Sequence, residues 1–105
     1  MADALVVFCT CGDQAQAHLI AEALIEGRLA ACVNILSPLY SIYRWQGKVE
    51  RAEETLLLIK TTSERFPALR DRIADLHTYE TPEIIAVPVG DGSEKYLSWL
   101  REQVS

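Results

Sequence analysis

The segment His77-Thr78-Tyr79-Glu80-Thr81-Pro82-Glu83-Ile84-Ile85 holds an imidazole, a phenol and a carboxylate within four consecutive positions. An imidazole can carry a proton near neutral pH or hold a metal. Pro82 fixes its own φ and pushes Thr81 toward an extended conformation, so this polar cluster belongs at a defined helix-to-strand corner. Corners at the edge of a core are places where binding groups are held. Cys9, Cys11 and Cys32 add thiols. Their odd number and irregular spacing fit neither a secreted disulfide framework nor a paired Cys-x-x-Cys zinc site. Reduced thiols packed as small core hydrophobes are their simplest role.

Thiolate and imidazole together suit Cu(I), Cu(II) and Zn(II). Cys9 ends the first strand and His77 ends the second long helix, so these two are the candidate metal ligands. Two ligands make an incomplete site, which Glu80 or a group from another subunit would complete. The structural alternative for His77 is an imidazole interacting favourably with a helix C-terminus. A Cys/His nucleophile would need a third orienting group and an oxyanion hole, and neither is legible, so no enzyme is expected. His18 reads as a surface or boundary residue.

The elements that position these groups follow from hydrophobic spacing. Leu5 to Thr10 is an almost unbroken apolar run, a strand buried on both faces. Asp13 caps the next helix, with Gln16 in capping-box position. Ala17, Ile20, Ala21, Leu24 and Ile25 form its buried stripe, and Gly27 stops it. Ala30 to Leu36 is a second strand, interrupted at Ser37-Pro38 by a bulge or bend. It resumes to Trp45, turns at Gln46-Gly47 and returns from Lys48 to Ile59. Thr62 or Ser63 caps a helix carrying Phe66, Leu69, Ile73 and Leu76, with Pro67 in its first turn. Ile84 to Val89 is the last core strand. A short helix then places Tyr96, Trp99 and Leu100 on one side.

The order is βαββαβ plus a final helix over residues 1–105, an α+β ferredoxin-like sandwich with a long β-hairpin and one four-stranded sheet. The two most aliphatic strands, Leu5 to Cys9 and Leu56 to Ile59, are its expected central pair. The chain is 105 residues, half of them hydrophobic, which bounds it to one packed domain. A formal net charge of −5 argues against a nucleic-acid binder. The central strands also lack the aromatics on which an RNA-recognition sheet stacks bases. Cys11 to Gln14 carries no cation to cradle an acyl phosphate. No apolar run reaches membrane-spanning length and the start lacks a signal-peptide pattern, which makes a cytoplasmic location the expectation.

Several motifs in order then match one family. Ala30-Ala31-Cys32-Val33-Asn34, Tyr43-Arg44-Trp45-Gln46-Gly47-Lys48-Val49-Glu50, Glu54 to Thr61, His77-x-Tyr79-Glu80-x-Pro82-Glu83 and Tyr96-Leu97-x-Trp99 together resemble the CutA family of divalent cation tolerance proteins. The resemblance runs from about Val7 to about Leu100. It implies a tight homotrimer with an architecture related to the PII signalling proteins, association with copper and other divalent cations, and no established catalysis. It also implies that Cys9 and His77 are metal ligands. Some members carry a second histidine immediately before that motif, where this chain has Leu76, and the proline that often follows the first is Thr78 here. Tyr79 and Glu80 are expected to line an inter-subunit cleft with Trp45 or Lys60 of a neighbour. The alternative function is a PII-like signalling or scaffold trimer that binds a small ligand or partner protein in those clefts.

Overall fold

The computed structural model describes residues 3–105. Strand β1 (Ala4–Cys11) is followed by helix α1 (Gln14–Glu26), strands β2 (Cys32–Trp45) and β3 (Lys48–Thr62), helix α2 (Phe66–Leu76), strand β4 (Ile85–Pro88) and helix α3 (Glu94–Gln103). The sheet order is β2-β3-β1-β4 with every neighbouring pair antiparallel. The expected βαββαβ order and the central β1–β3 pair are both present, with Val7 opposite Ile59 and Cys9 opposite Leu57.

Alternation along the strands sends side chains to two faces of the sheet. Val7, Cys9 and Cys11 on β1, with Leu57 and Ile59 on β3, face α1 and α2. They meet Ile20, Leu24, Leu69 and Ile73 in one buried core. The opposite face carries Val6, Phe8, Leu56 and Leu58 in register, flanked by Leu36 on β2 and by Ile85 and Val87 on β4. Helix α3 packs against the β1–β3 pair, where Leu100 and Val104 are buried outside the main core. Tyr96 of α3 lies near Cys32, whose side chain is on that second face. The rest of this face stays open in the single chain. Leu36 and Val87 are each 45% exposed and Ile85 is 54% exposed.

The hairpin outruns the rest of the sheet. β1 ends at Cys11 opposite Thr55, whereas β2 and β3 stay paired out to Trp45 and Lys48. Residues 39–54 therefore form a two-stranded arm with Tyr40, Ile42, Tyr43, Trp45 and Val49 exposed on it. The register shifts between Leu36 and Leu39, where a cis Ser37-Pro38 bond interrupts the ladder, so the irregularity read from the proline is present. At the tip Gln46 and Gly47 take φ of 50° and 79°, the left-handed pair that a two-residue hairpin needs. A Cβ at Gly47 would meet nothing within 4 Å, so Gly47→Ala strains only the backbone. Its expected cost is about 1–2 kcal/mol by denaturant titration.

Local readings need four corrections. Gln16 does not complete a capping box. Its amide N–H takes the Asp13 carboxylate at 2.8 Å, but its side chain crosses to α2, accepting from the Thr78 N–H at 2.9 Å and donating to the Leu76 carbonyl. Ile25 is half exposed beside Val33 and Ile35 rather than buried. Neither Thr62 nor Ser63 caps α2. Thr62 is held in β3 opposite Ala4, so the helix starts later, with Arg65 at its N-cap and no side-chain cap bond. The last strand is a four-residue edge strand, and alternation over so short a run turns only Ala86 toward the core while Ile85 and Val87 face the other way.

Candidate metal centre and adjoining groove

Cys9 and Cys11 are two residues apart on one strand, so both thiols point to the helix face, and both are fully buried. His77 is the residue that ends α2, as its position after the amphipathic run implies. Its backbone N–H bonds Ile73 O at 2.8 Å, and the chain turns extended there. Strand β4 pairs with β1 no further than Phe8 opposite Ile85, which leaves the Thr10 carbonyl free of a strand partner on that side. The His77 ring fills the gap with Nε2 at 2.8 Å from Thr10 O. Nδ1 accepts the Tyr79 N–H at 3.0 Å, so Nε2 carries the proton and donates to Thr10. The ligand atoms of Cys9, Cys11 and His77 all lie within 4.8 Å of one another.

The cluster unites the two ligands proposed from sequence and adds Cys11. The signal for Cys11 was in the chain. A Cys-x-Cys pair on a strand presents both sulfurs to one side, and that side faced the helix that ends in His77. Glu80, one of the two ways offered to complete the site, lines the outer groove, and a group from another subunit is the other. The two thiols are shifted in opposite directions. A hydrogen bond to Cys11, burial, and the charges of Glu83 and Glu54 push the Cys9 thiol far up, while accepting that bond lowers Cys11.

Tyr79 joins this cluster to the groove beside it. Its ring lies 4.7 Å from the His77 ring, and Gly12 leaves room for it, since a Cβ there would sit 3.3 Å from Tyr79 Oη. Oη donates to Glu54 Oε2 at 2.8 Å. Burial, that bond and the charge of Glu54 hold the phenol above its ordinary range. The groove is about 620 Å3 and runs between the arm and the corner, with Trp45, Tyr79 and Glu80 among its lining residues. Three of the four expected cleft residues therefore meet within one chain. Lys60 does not. It lies toward the far end of β3, opposite Val6 and Cys32, and bonds the Asn34 side chain. Glu54 was not among the site residues singled out from the sequence. Its burial depends on a tyrosine 25 residues away, a contact that no local pattern announces.

The family model described as CutA1 divalent ion tolerance protein matches residues 5–103. The chain belongs to this CutA1 family. A divalent-cation tolerance protein CutA from Thermus thermophilus is 54% identical over 97 residues, covering 92% of this chain and 94% of that one. Human protein CutA is 47% identical over 95 residues, and the match spans 90% of this chain but 53% of the human protein's length. Among solved structures, Cut A1 from Thermus thermophilus superposes with a TM-score of 0.95 at 51% identity, over 97% of this chain and 99% of that one. CutA from Xylella fastidiosa gives 0.96 at 42% identity, over 99% and 100%. The CutA1 description names tolerance to divalent ions and no reaction.

Proposed function

We propose that this CutA1-family protein is a homotrimer that captures copper and other thiol-seeking divalent ions at Cys9, Cys11 and His77. The observation that carries the reading is the convergence of two thiols and an imidazole, all buried, within 4.8 Å of one another. Two sulfurs and one ring nitrogen are the donor set that copper and zinc prefer over magnesium or calcium. The carboxylates of Glu54 and Glu83, which oppose thiolate formation at Cys9, favour a cation at the same place. Capture has a structural consequence. Both ring nitrogens of His77 are already bonded, to Thr10 and to Tyr79, so a metal takes the imidazole only by releasing one of them. Ion binding is thereby tied to the 77–80 corner, a physical basis for a response to metal and not only for storage. The open apolar face and the free arm support assembly, and three copies are what the family resemblance implies.

Titration of the reduced protein with Cu and Zn against a competing chelator tests this. The expected result is saturation at one ion per chain, with affinity lowered by about 10–100-fold in Cys9→Ser or Cys11→Ser and unchanged in Cys32→Ser. Non-stoichiometric uptake, or parental affinity in both thiol variants, would defeat the proposal.

A further inference from the structure

We propose that the groove beside the thiol–imidazole cluster is a separate binding site for a small organic cation, an ammonium group carrying an apolar body. Its lining pairs three carboxylates, Glu54, Glu80 and Glu83, with three aromatic rings, Tyr43, Trp45 and Tyr79, and no lysine or arginine is among the lining residues. Glu54 is the informative member. It is only 7% exposed, yet its partner is the neutral Tyr79 hydroxyl and no cation of this groove. A carboxylate taken so far out of water without a counter-charge is costly. A ligand that brings a positive charge recovers that cost.

The rings select the kind of cation. An inorganic ion gathers oxygen ligands and gains little from aromatic walls. An alkylammonium gains from ring faces and from carboxylates together, and aromatic cages lined this way hold quaternary ammonium groups. The volume of about 620 Å3 is that of a small-molecule site, larger than a bare ion needs. Trp45 and Tyr43 come from the arm, Glu54 from β3, and Tyr79, Glu80 and Glu83 from the corner. The site therefore depends on two segments far apart in sequence, the hairpin arm with Glu54 at its base and the 79–83 corner, joined by the Tyr79–Glu54 bond.

Trp45 supplies the readout. In a Trp99→Phe chain, which leaves Trp45 as the sole indole, choline is titrated at constant ionic strength and fluorescence is followed. Its uncharged isostere 3,3-dimethylbutan-1-ol is titrated in parallel. The expected result is a saturable change with choline, and binding weaker by about tenfold or more for the isostere, for Glu54→Gln and for Glu80→Gln. Because Glu80 is exposed, its variant keeps the test valid if Glu54→Gln fails to fold. The Cys9→Ser, Cys11→Ser chain is expected to bind choline like its parent, which separates this site from the metal reading. An equal response to the isostere would show an apolar pocket without charge selection. No saturable response, with Trp45 already shielded from a soluble quencher, would show that a neighbouring copy's side chain occupies the groove. Either result overturns the proposal.

Discussion

In the proposed homotrimer, a chain carrying Ile85→Asp and Val87→Asp is expected to fall from three protomers to one in light scattering, from three times 11.7 kDa to a single chain of that mass. Both side chains lie on the open face of edge strand β4 and are about half exposed. In a lone chain such surface changes shift stability by about 0.5 kcal/mol or less. In an assembly that buries this face the outcome is different. Each substitution then places a carboxylate against Phe8, Leu58 and their counterparts, and an unpaired buried charge costs several kcal/mol. Leu19→Asp is the matched control, since Leu19 is equally exposed but lies on the outer side of α1, and it should leave the mass unchanged. An unchanged mass in the β4 variant would place the interface elsewhere.

His77→Ala is expected to be the most damaging single change in the candidate metal centre, even in metal-free protein. The ring satisfies a carbonyl of β1 and an amide of the corner at once. Removing it leaves both without partners at a buried position, at about 1–3 kcal/mol each. It also withdraws the ring against which Tyr79 leans, and so weakens the hold of Tyr79 on Glu54. Urea titration should show a loss of about 2–5 kcal/mol. Amide exchange at Tyr79 should rise with it. His77→Gln, which can still donate and accept, should recover part of the loss. A parental midpoint for His77→Ala would mean that Gln16 on Thr78 and Tyr79 on Glu54 hold the corner without the imidazole.

How far the chain announces this structure depends on the range of the interaction concerned. The central strands were legible because Leu5 to Cys9 and Leu56 to Ile59 lack the polar alternation of a half-solvated strand. The hairpin tip was legible because Gln46-Gly47 accepts positive φ. His77 at the helix end followed from the spacing of Leu69, Ile73 and Leu76. What failed was long in range. Gln16 has the spacing of a local cap, yet it ties α1 to α2 because the start of α1 meets the end of α2 across the core. Glu54 follows the polar stretch Glu50 to Glu53, and only Tyr79 tells it apart from them. Lys60 shares a strand with Glu54 but lies six residues along it, a distance of roughly 20 Å in extended chain. Cys11 was a different kind of miss. Its spacing from Cys9 was visible, but a thiol in an apolar run reads first as packing.

The central place of β1 has a consequence for how the chain is made. β1 leaves the ribosome before both of its neighbours in the sheet, β3 and β4. Its pairing with β3 begins at Thr55 and closes at Thr62, and its pairing with β4 waits for residues 85 to 88. Until residues 55 to 62 have been translated, this apolar segment has no strand of its own sheet to pair with. Contacts this distant in sequence form slowly, because a long loop must close before they stabilise anything. β1 therefore emerges as an unpaired hydrophobic strand, the kind of segment that molecular chaperones shield during elongation.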